Sequence, residues 1–194
     1  LVRGEDIGAL LVTHDQQEAL AISDQVVVMS GGRIIEMGTP SDLYERPKAR
    51  FTAEFIGTAN VMPVDRLLGQ GGAGATQVQC PFGTVNLVAG DLPAADGRKL
   101  LLMVRPEHVE LVAAGAAGAA NTWPARVRDV TFLGNFTECS LDLAGHDILA
   151  QLQGYAVVKP GQDVHLRLPP EKCTIVYDDG AAGAGAPVKA SAVA

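Results

Sequence analysis

GRKLLLMVRPEHVELV (residues 97–112) and GQDVHLRLPPEKCTIV (residues 161–176) align without a gap. Gly97 matches Gly161, Leu102 matches Leu166, Pro106-Glu107 matches Pro170-Glu171, and Val112 matches Val176. Apolar residues at 100, 102 and 104 answer those at 164, 166 and 168, the two-residue period of a strand with one buried face. Each copy therefore reads as a strand, a turn and a second strand, with proline presetting the turn. The two glutamates belong to those turns rather than to a catalytic pair. A repeated unit of this kind predicts two related small β-barrels.

Outward from the repeat, residues 58 to 178 carry short strand-like runs: QVQCPF, TVNLV, KLLLMV, ARVRDVTFL, ECSLDL, DILAQL and DVHLRL. Gly, Pro and Asp punctuate them at the spacing of a small barrel or sandwich. GQGGAGA (69–75) and AAGAAGAAN (113–121) read as flexible loops, and 179–194 as a disordered tail.

Residues 1–57 have a different character. ALLVT (9–13) is continuously apolar, as in a strand covered on both faces, and His14 follows at its end. A short helix comes next, with Asp15 as its cap and Glu18 reaching back in a capping box. QVVVMS and RIIEMG form a hairpin through Gly31-Gly32. Thr39, Pro40 and Asp42 start a second helix, Pro47 interrupts, and ARFTAEFI makes a third that stops at Gly57.

The 194 residues, 47% hydrophobic, can bury a core. A formal net charge of −7 speaks against nucleic acid, whose affinity rests on Lys and Arg against phosphates. No run approaches the roughly 20 apolar residues of a bilayer span, so direct membrane insertion is not expected. Cys80, Cys139 and Cys173 lack C-x-x-C spacing and read as reduced thiols rather than a metal site. His108, His146 and His165 show no triad or zinc spacing, and no G-x-S-x-G occurs, which leaves an independent hydrolase without residues.

The run Leu11-Val12-Thr13-His14-Asp15-Gln16-Gln17-Glu18-Ala19-Leu20 resembles the switch, or H-loop, of ATP-binding-cassette (ABC) transport ATPases. Ser23 to Met29, Gly32-Arg33-Ile34, Gly38-Thr39-Pro40-Ser41-Asp42-Leu43-Tyr44 and Phe55-Ile56-Gly57 through Asn60 resemble the segments that follow it, in order. Val104-Arg105-Pro106-Glu107-His108-Val109 and Phe132-Leu133-Gly134 resemble the family's regulatory region, called TOBE, built from oligonucleotide-binding (OB) type barrels. The resemblance implies an α+β chain: a remnant of an α/β P-loop ATPase domain (1–57), a mostly β regulatory domain of two OB-like barrels (58–178) and the tail.

The resemblance further implies the C-terminal part of the ATP-binding subunit of an importer of the maltose, polyamine or ferric-iron type. Such a subunit is cytoplasmic, peripheral at the inner face of the cell membrane, a homodimer and bound to permease subunits. Ferric iron or a polyamine is the expected solute. His14 takes the place of the histidine that contacts the ATP γ-phosphate and helps to position the attacking water, while Asp15, Gln16 and Glu18 shape its loop and helix.

Departures from the family pattern set the limits. No G-x-x-x-x-G-K-[ST], LSGGQ, Walker B aspartate or adjacent catalytic glutamate occurs. ATP and Mg²⁺ are thus expected in a longer parent and no cofactor in this chain, a reading with which the absent initial Met agrees. One charge-assisted hydrogen bond from His14, about 1.5–3 kcal/mol, falls short of an association cost of at least about 4 kcal/mol. The strand at 9–13 would lack its neighbours, so residues 1–57 are expected either partly unfolded or buried against a second chain by domain swapping. The alternative is a free-standing OB-type module in which Arg105, Arg126, Arg128 and Arg167 converge on an oxyanion.

Overall fold

The computed structural model describes residues 8–70, 76–88, 97–112 and 119–180. Most of both Gly/Ala loops and nearly all of the tail expected above lie outside the described residues. Residues 8–13 form no strand, contrary to expectation, and Leu10 and Val12 are 92% and 89% exposed. A strand needs neighbours to take its N–H and C=O groups, and none of the described strands runs beside this one.

Order begins at α1 (Gln16–Ile22), capped by Asp15, whose carboxylate accepts from Glu18 N at 3.1 Å. The expected box closes differently: Thr13 Oγ1 accepts from Asp15 N at 3.0 Å and donates to the Glu18 carboxylate at 2.9 Å. β1 (Val26–Ser30) and β2 (Arg33–Gly38) form the hairpin, turning through Gly31 and Gly32 at φ +55° and +75°. Both central residues of such a two-residue turn need positive φ, which glycine adopts without strain. Thr39 caps α2 (Pro40–Glu45), accepting from Asp42 N at 3.2 Å. α3 (Arg50–Phe55) follows Pro47, with Phe51 and Phe55 stacked at 5.4 Å.

α3 serves two cores. Phe51 and the following Ile56 pack with Val26, Val28 and Leu43, whereas Ala53 packs with Met103 and Val176. The outer face of the hairpin stays open to solvent, with Val27 opposite Met37 and Met29 opposite Ile34.

The rest of the chain is β: β3 (Asn60–Pro63), β4 (Arg66–Gln70), β5 (Thr76–Cys80), β6 (Gly83–Leu87), β7 (Leu100–Val104) and β8 (Glu110–Val112), then β9 (Thr122–Phe132), β10 (Phe136–Leu143), β11 (His146–Gln153), β12 (Asp163–Arg167) and β13 (Cys173–Tyr177). β3 and β4 were not among the expected strands, and β4 takes in Gly69 and Gln70 from the expected loop. A 3-10 turn at Pro106–His108 joins β7 to β8, and another at Pro170–Lys172 joins β12 to β13, where the repeat predicts turns.

The two copies exchange strands. β7 pairs with β13, placing Leu102 opposite Ile175, and β12 pairs with β8, placing Leu166 opposite Leu111. Leu166 and Leu111 are the copy-equivalents of Leu102 and Ile175, so a pseudo-two-fold relates the two ladders. The sheets run β11-β10-β9-β12-β8, β13-β7-β3 and β4-β5-β6. They enclose one apolar core, to which the first copy brings Val78, Cys80 and Val85 and the second Leu141, Leu143 and Ile148. With the helices before them, these OB-like halves make the chain α+β.

Two buried asparagines join the sheets. Asn60 lies opposite Val104 in the β3–β7 ladder, and Leu168, the copy-equivalent of Val104, donates its N–H to Asn121 O at 2.9 Å. Asn60 and Asn121 are therefore equivalent, and their side chains do the same work. Asn60 Nδ2 donates to Leu149 O (2.8 Å) and Asn60 Oδ1 accepts from Leu149 N (2.7 Å), joining β3 to the free edge of β11. Asn121 Nδ2 donates to Asn86 O (2.7 Å) and Asn121 Oδ1 accepts from Asn86 N (2.8 Å), joining β6 to the start of β9. Each carboxamide stands in for one residue of a missing strand.

Replacing Asn60 or Asn121 by alanine strands buried backbone groups. Each change should lower the unfolding free energy by about 2–4 kcal/mol in urea titrations. A loss below about 1 kcal/mol would show that water takes the place of the amide.

Candidate functional site

His14 sits on the exposed stretch just before α1, without the strand expected to lead into it. Thr13, Asp15 and Glu18 around it are occupied in shaping the turn and the helix start. α1 itself buries no residue. An exposed imidazole with no glycine cradle or phosphate lysine beside it does not amount to a nucleotide site in the described residues.

The densest polar constellation lies elsewhere. Arg105, at the junction of β7 and its 3-10 turn, is 1% exposed. Its Nε and Nη2 donate to Tyr44 O at 3.2 and 2.9 Å. Its Nη1 reaches Ala53 O, Gly57 O and Thr58 O at 2.7, 3.0 and 3.0 Å. Tyr44 and Ala53 belong to the last turns of α2 and α3, whose final carbonyls have no partner within the helix. A cation there also suits the negative end of each helix. The Tyr44 ring lies over the guanidinium at 4.3 Å, and Tyr44 OH donates to the Glu107 carboxylate at 2.6 Å. A Cβ at Gly57 would stand 3.1 Å from the Tyr44 ring, so any larger residue there would press on the ring.

Burial lowers the pKa of Arg105, opposed by Tyr44, Glu107 and Glu45. The same burial, with the hydrogen bond to Glu107, pushes the Tyr44 phenol up to about 12. Burial likewise pushes the core thiols of Cys80 and Cys173 up to about 12, so neither is a thiolate at neutral pH.

The four arginines considered for an oxyanion site do not converge. Arg105 is committed to carbonyls, Arg126 faces Asp163 (3.5 Å), Arg128 bridges Asp142 and Asp147 (both 2.8 Å), and Arg167 meets Glu110 (2.7 Å). Arg126–Asp163 and Arg167–Glu110 are directly opposed across their ladders, whereas Arg128 lies at the register shift between β9 and β10. Among the described residues no cluster of His, Cys, Asp and Glu is placed to hold a metal, and no helix is long and apolar enough to cross a membrane. His146 lies by Phe82, apart from His14.

Residues 102–176, spanning β7 to β13, match the TOBE domain family. The chain carries a TOBE domain. Over 87% of its length it is 41% identical to a sulfate/thiosulfate import ATP-binding protein of Chromobacterium violaceum, of which it covers 45%. It is 38% identical to the sn-glycerol-3-phosphate import ATP-binding protein of Ralstonia nicotianae over 79% of this chain and 42% of that one. A spermidine/putrescine import ATP-binding protein of Frankia alni matches at 38% identity over 66% of this chain and 29% of its own length. The chain is thus related to ABC-importer ATP-binding subunits and spans less than half the length of these curated relatives. Among solved structures, the molybdate-bound cytoplasmic protein ModG superposes with a TM-score of 0.48 at 18% identity, covering 66% of this chain and 95% of that one.

Sequence reasoning left Arg105, Tyr44 and Glu107 in other roles: a motif or oxyanion arginine, a motif residue and a turn glutamate. The missed signal was the contrast between the copies, which place Arg105 and Pro169 at equivalent positions.

Two outcomes are expected. Isothermal titration of sulfate, molybdate and phosphate into the chain should give no heat that changes when Arg126, Arg128 and Arg167 are replaced by glutamine. Stability should also fall at high pH. Tyr44 has a folded pKa of about 12 against 10.0, and Cys80 and Cys173 about 12 against 9.0. Because the folded values are raised, their contribution is complete below about pH 9 and is lost as pH climbs toward 12. Tyr44→Phe should flatten the part of that loss above pH 10 in denaturation curves.

Proposed function

We propose that this chain is the switch segment and regulatory domain of the ATP-binding subunit of an ABC importer. Residues 1–57 would be the end of its nucleotide-binding domain, 58–178 its regulatory domain and 179–194 a tail. The observation that carries the reading is the 41% identity to an import ATP-binding protein over 87% of the chain, together with the TOBE match at residues 102–176.

ATP with Mg²⁺, bound chiefly by the other half of such a subunit, supplies the energy of transport. His14, next to the turn shaped by the Thr13–Asp15–Glu18 bonds, would supply an imidazole hydrogen bond to the γ-phosphate in the assembled subunit. Two such subunits would pair and engage a membrane permease from the cytoplasmic face. By itself the chain would not hydrolyse ATP, lacking the phosphate loop, LSGGQ and Walker B residues. The relatives' names cover a sulfur oxyanion, a phosphate ester and polyamine cations at 41%, 38% and 38% identity. Solutes of opposite charge at nearly equal identity argue that solute choice is not written in this half. We therefore assign solute import without a preference for iron or polyamine.

Joining the ATP-binding half of the Chromobacterium relative to this chain at Gly8 tests the reading. The fusion should hydrolyse ATP while the chain alone stays at background, and His14→Ala in the fusion should lose about 10²-fold or more in rate. A folded fusion without activity would refute the import-ATPase reading. An active fusion indifferent to His14→Ala would refute the switch role alone.

A further inference from the structure

Arg105 holds a buried charge with no carboxylate on its guanidinium; its partners are backbone carbonyls contributed by Tyr44, Ala53, Gly57 and Thr58. All four precede the barrels, whereas Arg105 belongs to the barrel repeat. Every contact the guanidinium makes therefore crosses from one part of the chain to the other. The joint is extended by Tyr44 and Glu107, which close a second bond over the first, and by Tyr177 N donating to Lys48 O at 2.9 Å. Lys172 of the second copy reaches Glu45 of α2 at 3.5 Å. Ala53 packs directly on Met103 and Val176. α1 buries no residue of its own, and its Leu20 packs against the core formed by Val26, Val28, Leu43, Phe51 and Ile56.

We propose that Arg105 is the coupling residue that fastens α2 and α3 to the barrel pair, holding the C-terminal carbonyls of both helices at once so that helices and barrels move as one body. The geometry suits arginine and no other side chain. Its planar fork offers five donors in fixed directions and stays charged when buried, while lysine offers three donors from a single point. If the function proposed above holds, the joint is also the route by which a displacement of the regulatory domain reaches the segment carrying His14, but the coupling itself does not depend on that reading.

Hydrogen exchange read by mass spectrometry on the 194-residue chain tests the proposal without ATP or permease. In Arg105→Met, amides of residues 43–57 should exchange at least about a hundredfold faster, while those of residues 136–152 stay within about threefold of the unaltered chain. Arg105→Lys should give about tenfold in the same segment, and Tyr44→Phe, which keeps the ring but loses the Glu107 bond, about threefold. Should Arg105→Met fail to fold, the two milder variants decide. A rise confined to 43–57 supports the coupling role. A rise shared equally by 136–152 would make Arg105 an ordinary core residue, and no rise at all would show that the helices are held by packing alone; either result overturns the proposal.

Discussion

A sheet edge that ends inside a core leaves backbone N–H and C=O groups without water and without partners, at about 1–3 kcal/mol for each group left unsatisfied. This protein meets that constraint three times. At the repeat, each copy lends one of its strands to the other, so that β7 finds β13 and β8 finds β12. At two further edges, those of β11 and β6, Asn60 and Asn121 extend the ladders by one residue with a side-chain amide. At the ends of α2 and α3, a guanidinium takes the last carbonyls. Strand, carboxamide and guanidinium are interchangeable answers to one requirement, chosen by how much of the edge is left open.

The answers differ in what they tolerate. A ladder spreads its bonds over many residues and survives most substitutions on the solvent face. An asparagine or arginine concentrates several bonds in one side chain, and each of those here sits where two structural units meet. Stability is therefore unevenly distributed: broad within the sheets, dependent on single residues at the seams. The segment before α1 is at the other extreme, with apolar side chains in water and no buried residue in the following helix.

Much of the fold was legible in the sequence because it depends on local chemistry. Gly31-Gly32, Thr39-Pro40 and the alternation at 100–104 and 164–168 each specify their geometry within a few residues. The strand at 9–13 was misread because its apolar pattern describes neighbours that the described structure does not contain. The equivalence of Asn60 and Asn121 was hidden because the stretches between each asparagine and the recognisable repeat differ in length. His14 was found by resemblance, not by geometry. Arg105 was visible only as an arginine among others, since nothing local distinguishes a guanidinium bound to remote carbonyls from one in solvent. The ion pairs of Arg126 and Arg167, by contrast, follow from cross-strand register once the ladders are known.

The duplication offers two equivalent junctions between a strand and its Pro-Glu turn, but they are not equally equipped. Where the first copy has Arg105, the second has Pro169, which carries no side-chain donor and no N–H. A helix pair can therefore be seated at one junction and not at its mirror, although the surrounding strands are alike. One residue makes a nearly symmetric object directional, with a socket on one half only.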